Sequence, residues 1–356
     1  MAWDSIICFL LILLSTFHHA THAAPSSKIG ICYGTKGDNL PTPTEIIALL
    51  KGCSIKKLRL YDANPQLLEA VAAIIKPPDV LELAIAARNE ELADLAASPD
   101  AAIDWVGMNI LPFRTPVLSF QDILVGSEVA PGENARYIVA AMQNLRSALR
   151  HANMTESTVS TVVSFSVLQN TFPPSQATFT PEANEIMKDF VSFQLSLPSG
   201  IRGYIYINIY PYFSHAADPE HISLDHALFQ GKAPMLKDGN LTYWNLFDAM
   251  YDAFLWALEK VGGAELTVMV GESGWPSAGN GASTTPELAS TYLTNFYNHI
   301  SEAGTPKLPP KVGFEGAYVY ALYDENLKPA GVEQHFGLFY PNMKPVYTPN
   351  PMCHIN

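Results

Sequence analysis

The chain has 356 residues, 48% of them hydrophobic, and carries 34 acidic against 21 basic side chains for a net charge of −13. An acidic chain without basic clusters argues against nucleic acid and anionic membrane surfaces as partners. The length buries a full core without covalent staples and allows either two domains or one large barrel.

At the N-terminus, Ile6 to Leu14 form an unbroken apolar run followed by small and polar residues and then Ala23-Ala24-Pro25. Spanning a bilayer takes roughly 20 apolar residues, so the run reads as the core of a signal peptide, residues 1–23, ahead of a domain at 24–356. The segment departs from the usual pattern in having no Lys or Arg before the apolar run, and Asp4 instead. Its loss removes that one acid and no base, moving the charge by one from −13 to −12. No later long apolar segment follows and Pro349–Asn356 lacks a greasy tail, so the expectation is a secreted, extracellular monomer without a membrane anchor. Secretion gives meaning to two sequons, Asn153-Met-Thr155 and Asn240-Leu-Thr242, as glycosylation sites at Asn153 and Asn240. Cys8 departs with the signal. Cys32, Cys53 and Cys353 remain, without zinc spacing; they read as buried apolar side chains, with one pair plus an odd thiol as the alternative.

Eight short β-rich apolar runs follow in order: 29–32, 57–61, 80–86, 122–125, 159–167, 204–210, 266–270 and 314–322. Helical patterns lie between them. Pro43–Leu50 places apolar residues three and four apart; Gly132–Arg146 carries a stripe through Tyr137, Ala140, Ala141 and Leu145. Asn245–Val261 sets Leu246, Met250, Phe254, Leu255 and Leu258 on one side and Asp248, Asp252 and Glu259 elsewhere, and Gly262-Gly263 stops it. Buried strands alternating with amphipathic helices imply a parallel sheet with crossover helices. Eight such units predict the α/β class and a single (β/α)₈ TIM barrel. An open doubly wound sheet is the alternative, but no Gly-rich phosphate turn follows the first run.

In such a barrel the chemistry sits just past the strands. The fourth run opens into Gly126-Ser127-Glu128, the seventh into Gly271-Glu272-Ser273-Gly274-Trp275, and the eighth ends Tyr323-Asp324-Glu325. A carboxylate there is costly unless hydrogen-bonded or used, and a facing pair is what glycosidic cleavage needs. A single strand-end Glu is commonly a loop ion pair; three acids at one barrel face with neighbouring aromatics favour chemistry. Gly271-Glu-Ser-Gly274 is no serine-hydrolase elbow, since Trp275 stands where a Gly belongs. The histidines after the signal are scattered without metal-ligand spacing, so neither metal nor cofactor is expected.

Val270-Gly-Glu-Ser-Gly-Trp-Pro-Ser277 resembles the nucleophile signature of the plant β-1,3-glucanases, glycoside hydrolase family 17. The resemblance continues through Ile29–Gly34, Leu58–Asp62, Trp105–Phe113, Val163–Gln169, Asn208–Phe213, Asn245–Ala249, Tyr323–Asn326 and His335–Phe339. It implies a retaining endo-hydrolase of (1→3)-β-glucosidic bonds, with Glu272 as nucleophile and Glu128 as acid/base. Retention implies carboxyls ~5 Å apart, Glu128 protonated and Glu272 ionised. Glu325 and Lys328 match positions beside the pair. Tyr33, Tyr61, Asn109, Phe113, Tyr210, Phe213 and Trp275 match groove positions, where flat rings suit glucose faces; core packing is the competing reading for Phe113 and Phe213. Ser127 stands where the family has Asn, whose amide contacts the sugar 2-hydroxyl. The shorter side chain implies a loss of about 10²- to 10³-fold in rate, partly restored by water. The implied partner is a β-glucan. Mixed-linkage 1,3;1,4-glucanase activity and a weakly active glucan-binding protein are the alternatives.

Overall fold

The computed structural model describes residues 28–198, 201, 203–308 and 312–353. The expected signal peptide, 1–23, lies outside the described residues.

Eight parallel strands close a barrel in chain order: β1 (Ile29–Tyr33), β2 (Lys57–Leu60), β3 (Leu81–Ala87), β4 (Leu118–Ser127), β5 (Thr158–Ser164), β6 (Tyr204–Asn208), β7 (Thr267–Ser273) and β8 (Ala317–Val319). Closure comes from β8 pairing with β1 at Ala317–Ile29, Tyr318–Gly30 and Val319–Ile31. Apolar runs located every strand but not its limits, because a run records burial whereas a ladder needs a neighbour. Phe314 and Leu322 are buried yet lie outside Ala317–Val319, so β8 is shorter than its run. The fifth strand stops at Ser164, and a 3₁₀ turn, Phe165–Val167, takes up the rest of its run. In contrast, β4 and β7 continue beyond their runs, so that Glu272 lies within β7 rather than after it.

The outer helices start on a shared local device. Thr42, Asn64, Ser98, Thr180 and Thr285 each accept a backbone N–H from the following turn, and a proline comes next. The cap satisfies an orphan donor, and proline at the first helical position forfeits no hydrogen bond. Thr42 adds a reciprocal bond from its own N–H to Glu45, 2.9 Å.

Two helices differ from expectation. The segment after β4 begins as a 3₁₀ turn, Glu133–Tyr137, and its α-helix spans Ile138–His151. Its buried stripe runs through Ile138, Ala141, Met142, Leu145 and Leu149, leaving Tyr137 and Ala140 half-buried. Helix Leu246–Lys260 buries Asp248 and Asp252, which the pattern had set apart from the core side. The helix is covered on a second side: His299 Nε2 lies 2.7 Å from Asp248 Oδ1, and the Lys307 N–H donates to Asp252 over 2.8 Å, beside the Thr305 hydroxyl. The acids are tolerable because they are bonded. The cysteines also depart from the buried-thiol reading. Cys53, capping the first helix, forms a disulfide with Cys353, leaving Cys32 free and buried.

Candidate active site

The barrel interior is polar at its axis. Arg59 and Tyr206 are fully buried, and the Tyr206 hydroxyl donates to Asp122 over 2.7 Å. Gly30 makes room for this filling, since a Cβ there would lie 2.6 Å from the Tyr318 ring. Above it, at the C-terminal ends of the strands, opens a cleft of about 840 Å³ lined by both Glu128 and Glu272. This is the face where barrel enzymes work.

Backbone irregularities aim the two acids. The β4–β5 register shifts between Leu124 and Ser127, and Glu128 follows with φ of 56°, a left-handed conformation rare for a side chain of this size. The Glu128 N–H donates to Val162 O over 2.9 Å and fixes the turn. The β7 register shifts against β6 between Val270 and Glu272, and against β8 between Val270 and Ser273. Bulges re-aim side chains next to active sites.

The acids have unlike surroundings. Glu272 accepts three hydrogen bonds: from Arg59 Nη1 at 2.8 Å, the Tyr61 hydroxyl at 2.7 Å and the Tyr210 hydroxyl at 2.8 Å. Burial opposes the Arg59 charge, but Tyr61 and Glu272 outweigh it and its pKa is raised, so the guanidinium remains a cation. Burial raises the Tyr61 and Tyr210 hydroxyls well above their ordinary range, keeping both as donors. The Cys32 thiol, 3.6 Å from Gly271 O, is pushed by burial up to about 12 and adds no second anion beside Glu272. Glu128 has one such partner, Asn208 Nδ2 at 2.7 Å. Burial, then the Glu272 charge, raises the Glu128 pKa, while the Asn208 bond acts against them. One carboxylate thus accepts from a cation and two phenols, and its neighbour is biased towards the acid form. That is the division glycosidic cleavage requires.

The glycosyl hydrolases family 17 pattern matches residues 29–350. The chain belongs to this family. It is a glycosidase. Among its relatives, the probable glucan endo-1,3-β-glucosidase BG4 of Arabidopsis thaliana is 40% identical over 95% of each chain. Lichenase-2 of Hordeum vulgare is 39% identical over 91% of this chain and 98% of its own. A solved plant β-glucan endohydrolase superposes with a TM-score of 0.82 at 39% identity, covering 89% of this chain and 98% of its own. CJP38, a β-1,3-glucanase and allergen of Cryptomeria japonica pollen, also gives 0.82, at 37% identity, covering 92% of this chain and all of its own.

The family 17 cleft gathers Tyr61, Ser127, Tyr210, Phe213, Glu325 and Lys328 together with the acids. Glu325 is buried, accepting from the Lys36 N–H at 2.6 Å and the Tyr320 hydroxyl at 3.3 Å, and Lys328 Nζ lies 5.2 Å from the Tyr320 ring centre. Gly34 permits this, since a Cβ there would sit 2.4 Å from a Glu325 carboxylate oxygen. Phe213 is 41% exposed at the rim, packed on Tyr210 and Phe336. Ser127 Oγ accepts from Arg59 Nη2 at 3.2 Å.

Four expected groove residues lie outside the cleft lining. Trp275 is buried against Tyr212 and Tyr292, and its indole N–H donates to Ser283 O. Tyr33 is buried edge-on to Tyr323. Asn109 ends helix Pro99–Asn109, its amide donating to Trp105 O. Phe113 likewise packs against the core. A motif match gives position along the chain, whereas side-chain direction depends on which wall a turn leans against. Arg59, Asn89, Asn208 and Glu333, by contrast, went unassigned and sit at the site; Asn89, Asn208 and Glu333 line the cleft. Arg59 did leave a signal: a full positive charge alternating with Leu58 and Leu60 in a barrel strand has only the interior to occupy. Among the described residues, no group of three or more metal-binding side chains forms, and no helix is long and apolar enough to cross a membrane.

Proposed function

We propose that this family 17 glycosidase is a secreted, retaining endo-hydrolase of (1→3)-β-D-glucosidic bonds in β-glucans. The single observation behind the mechanism is the unequal environment of the two acids. The Glu272 carboxylate attacks the anomeric carbon while Glu128 gives its proton to the departing glycosidic oxygen. Water then attacks the glycosyl-enzyme, returning a proton to Glu128 and releasing Glu272. Flat rings at Tyr61, Tyr210 and Phe213 stack on sugars, and Glu325 and Lys328 bind hydroxyls. Ser127 accepts from Arg59 and offers the substrate one short hydroxyl in place of an amide, which supports reduced contact. The 1,3 linkage rests on the names of relatives such as the Arabidopsis protein.

Secretion is supported by the disulfide, since such bonds persist in oxidising compartments. It brings the exposed sequon residues Asn153 and Asn240 into reach of glycosylation. The test is product analysis on laminarin and on mixed-linkage barley glucan. Retained β-configured oligosaccharides from laminarin, lost in Glu272→Gln, are the expected result. Binding without turnover, unaltered by Glu272→Gln, would show a glucan-binding protein instead; preference for the barley glucan would reassign the linkage. Ser127→Asn is expected to raise turnover, and an unchanged rate would discard the missing-contact argument.

A further inference from the structure

Glu128 holds a left-handed backbone without being glycine, a conformation that persists only where its surroundings over-determine it. The main chain supplies little of that restraint on one side. The β3–β4 ladder ends at Ala87 and Val125, after which β3 turns away into the 3₁₀ turn Asn89–Glu91. Beyond this point, the peptide groups of Ser127 would face the β3 side without a strand partner. A single side chain takes the strand's place. Asn89 Oδ1 accepts from the Ser127 N–H at 2.8 Å, and Asn89 Nδ2 donates to Ser127 O at 3.0 Å. A planar amide presenting one acceptor and one donor satisfies both backbone groups of one residue. The turn offering this amide is itself tied down. The Glu91 carboxylate accepts from the Arg88 N–H at 2.7 Å and from Trp105 Nε1 at 3.3 Å.

We propose that Asn89 is a positioning residue for catalysis: its side-chain amide extends the β3 edge by one residue, splints Ser127, and so fixes the direction in which Glu128 presents its carboxyl. This rests on the reading of Glu128 as the acid/base. Asn89 acts through Glu128, at the two peptide groups that flank Ser127, the residue before the acid. Losing the splint frees the Ser127 peptide and lets Glu128 relax from its left-handed state, carrying the proton donor away from the glycosidic oxygen. Glu272, fixed by its own partners, stays in place.

The consequence depends on the leaving group, which separates positioning from general loosening. A glucan needs protonation of its departing oxygen, whereas a dinitrophenolate departs without it. The test compares Asn89→Ala, Asn89→Asp and Glu128→Ala on laminarin and on a dinitrophenyl β-laminaribioside, with and without azide. In Asn89→Ala, kcat on laminarin is expected to fall about 100-fold, the size of effect of a 1 Å misplacement, with KM little changed. The burst of dinitrophenolate should stay near the wild-type rate, and azide should accelerate subsequent turnover, as in Glu128→Ala. Asn89→Asp keeps the acceptor for the Ser127 N–H and should lose less on laminarin. Equal losses on both substrates, a loss confined to KM, or no loss would overturn the inference. If Asn89→Ala does not fold, the same leaving-group comparison on Asn89→Asp decides: dependence supports the splint and its absence overturns it. If Glu128→Ala itself shows no leaving-group dependence, the reading of Glu128 falls, and the inference with it.

Discussion

Glu128 carries the pH behaviour of the proposed reaction. Its pKa is raised by burial and by the Glu272 charge, so the proton it must donate is retained to higher pH than on an ordinary carboxylic acid. The alkaline limb of kcat/KM should therefore lie above the ordinary Glu range. Asn208 works in the opposite sense, because its N–H favours the ionised form. Asn208→Leu removes that donor without opening a path for water, and should move the alkaline limb to higher pH. A shift to lower pH in the pH–rate profile would contradict this account. At Gly34 the constraint is steric: Gly34→Ala places a methyl against the bonded Glu325 carboxylate and breaks its contact with the Lys36 N–H. A lost hydrogen bond to a carboxylate costs about 2 kcal/mol of folding free energy, so urea titrations should show a loss of that order, and kcat/KM on laminarin should fall as Glu325 is displaced.

Among the elements, helix Leu246–Lys260 has an unusual buried side. Asp252 is fully buried, and burial raises its pKa to about 7 despite bonds from Thr305 and the Lys307 N–H. The folded state therefore holds this proton more tightly than the unfolded chain. Its contribution to stability is complete below the ordinary Asp range and is lost as pH rises to about 7. Asp252→Asn should flatten the dependence of thermal midpoint on pH in that interval. An identical slope for variant and wild type would show that Asp252 does not carry it. The helix pattern hid this acid because periodicity records one buried face, and here a following helix and loop cover a second one.

Across the whole molecule, closure depends on the first and last strands meeting, and the loops after them are laced together. Asp38 and Asn326 bond reciprocally, and the Leu327 N–H donates to Lys36 O at 2.9 Å. The Cys53–Cys353 disulfide ties the end of the first helix to the C-terminal segment, joining residues 300 positions apart. A cross-link over so long a loop constrains the unfolded chain strongly. Cys53→Ser should lower unfolding free energy by about 2–5 kcal/mol in urea titrations, with laminarin turnover unchanged at low temperature. Equal midpoints for oxidised and reduced wild type would argue against a structural role.

The barrel was legible because its code is local. Buried parallel strands must be apolar runs, crossover helices must be amphipathic, and Thr-Pro or Ser-Pro at a helix start satisfies the first turn without distant help. The two acids were legible for a related reason: strand ends define the working face, and position along the chain suffices to reach it. What lies between strands was not legible. Arg59 bridging to Glu272, Asn89 bracketing Ser127 and Asn208 touching Glu128 join residues whose sequence distances are 213, 38 and 80. Trp275 and Asn109 share motifs with the site yet point into other walls, since a turn's lean depends on packing that no segment contains. The chain alone names the carboxylates and the strands that carry them. Only the closed barrel decides how unlike their surroundings are, because the donors, burial and charges around each come from distant strands.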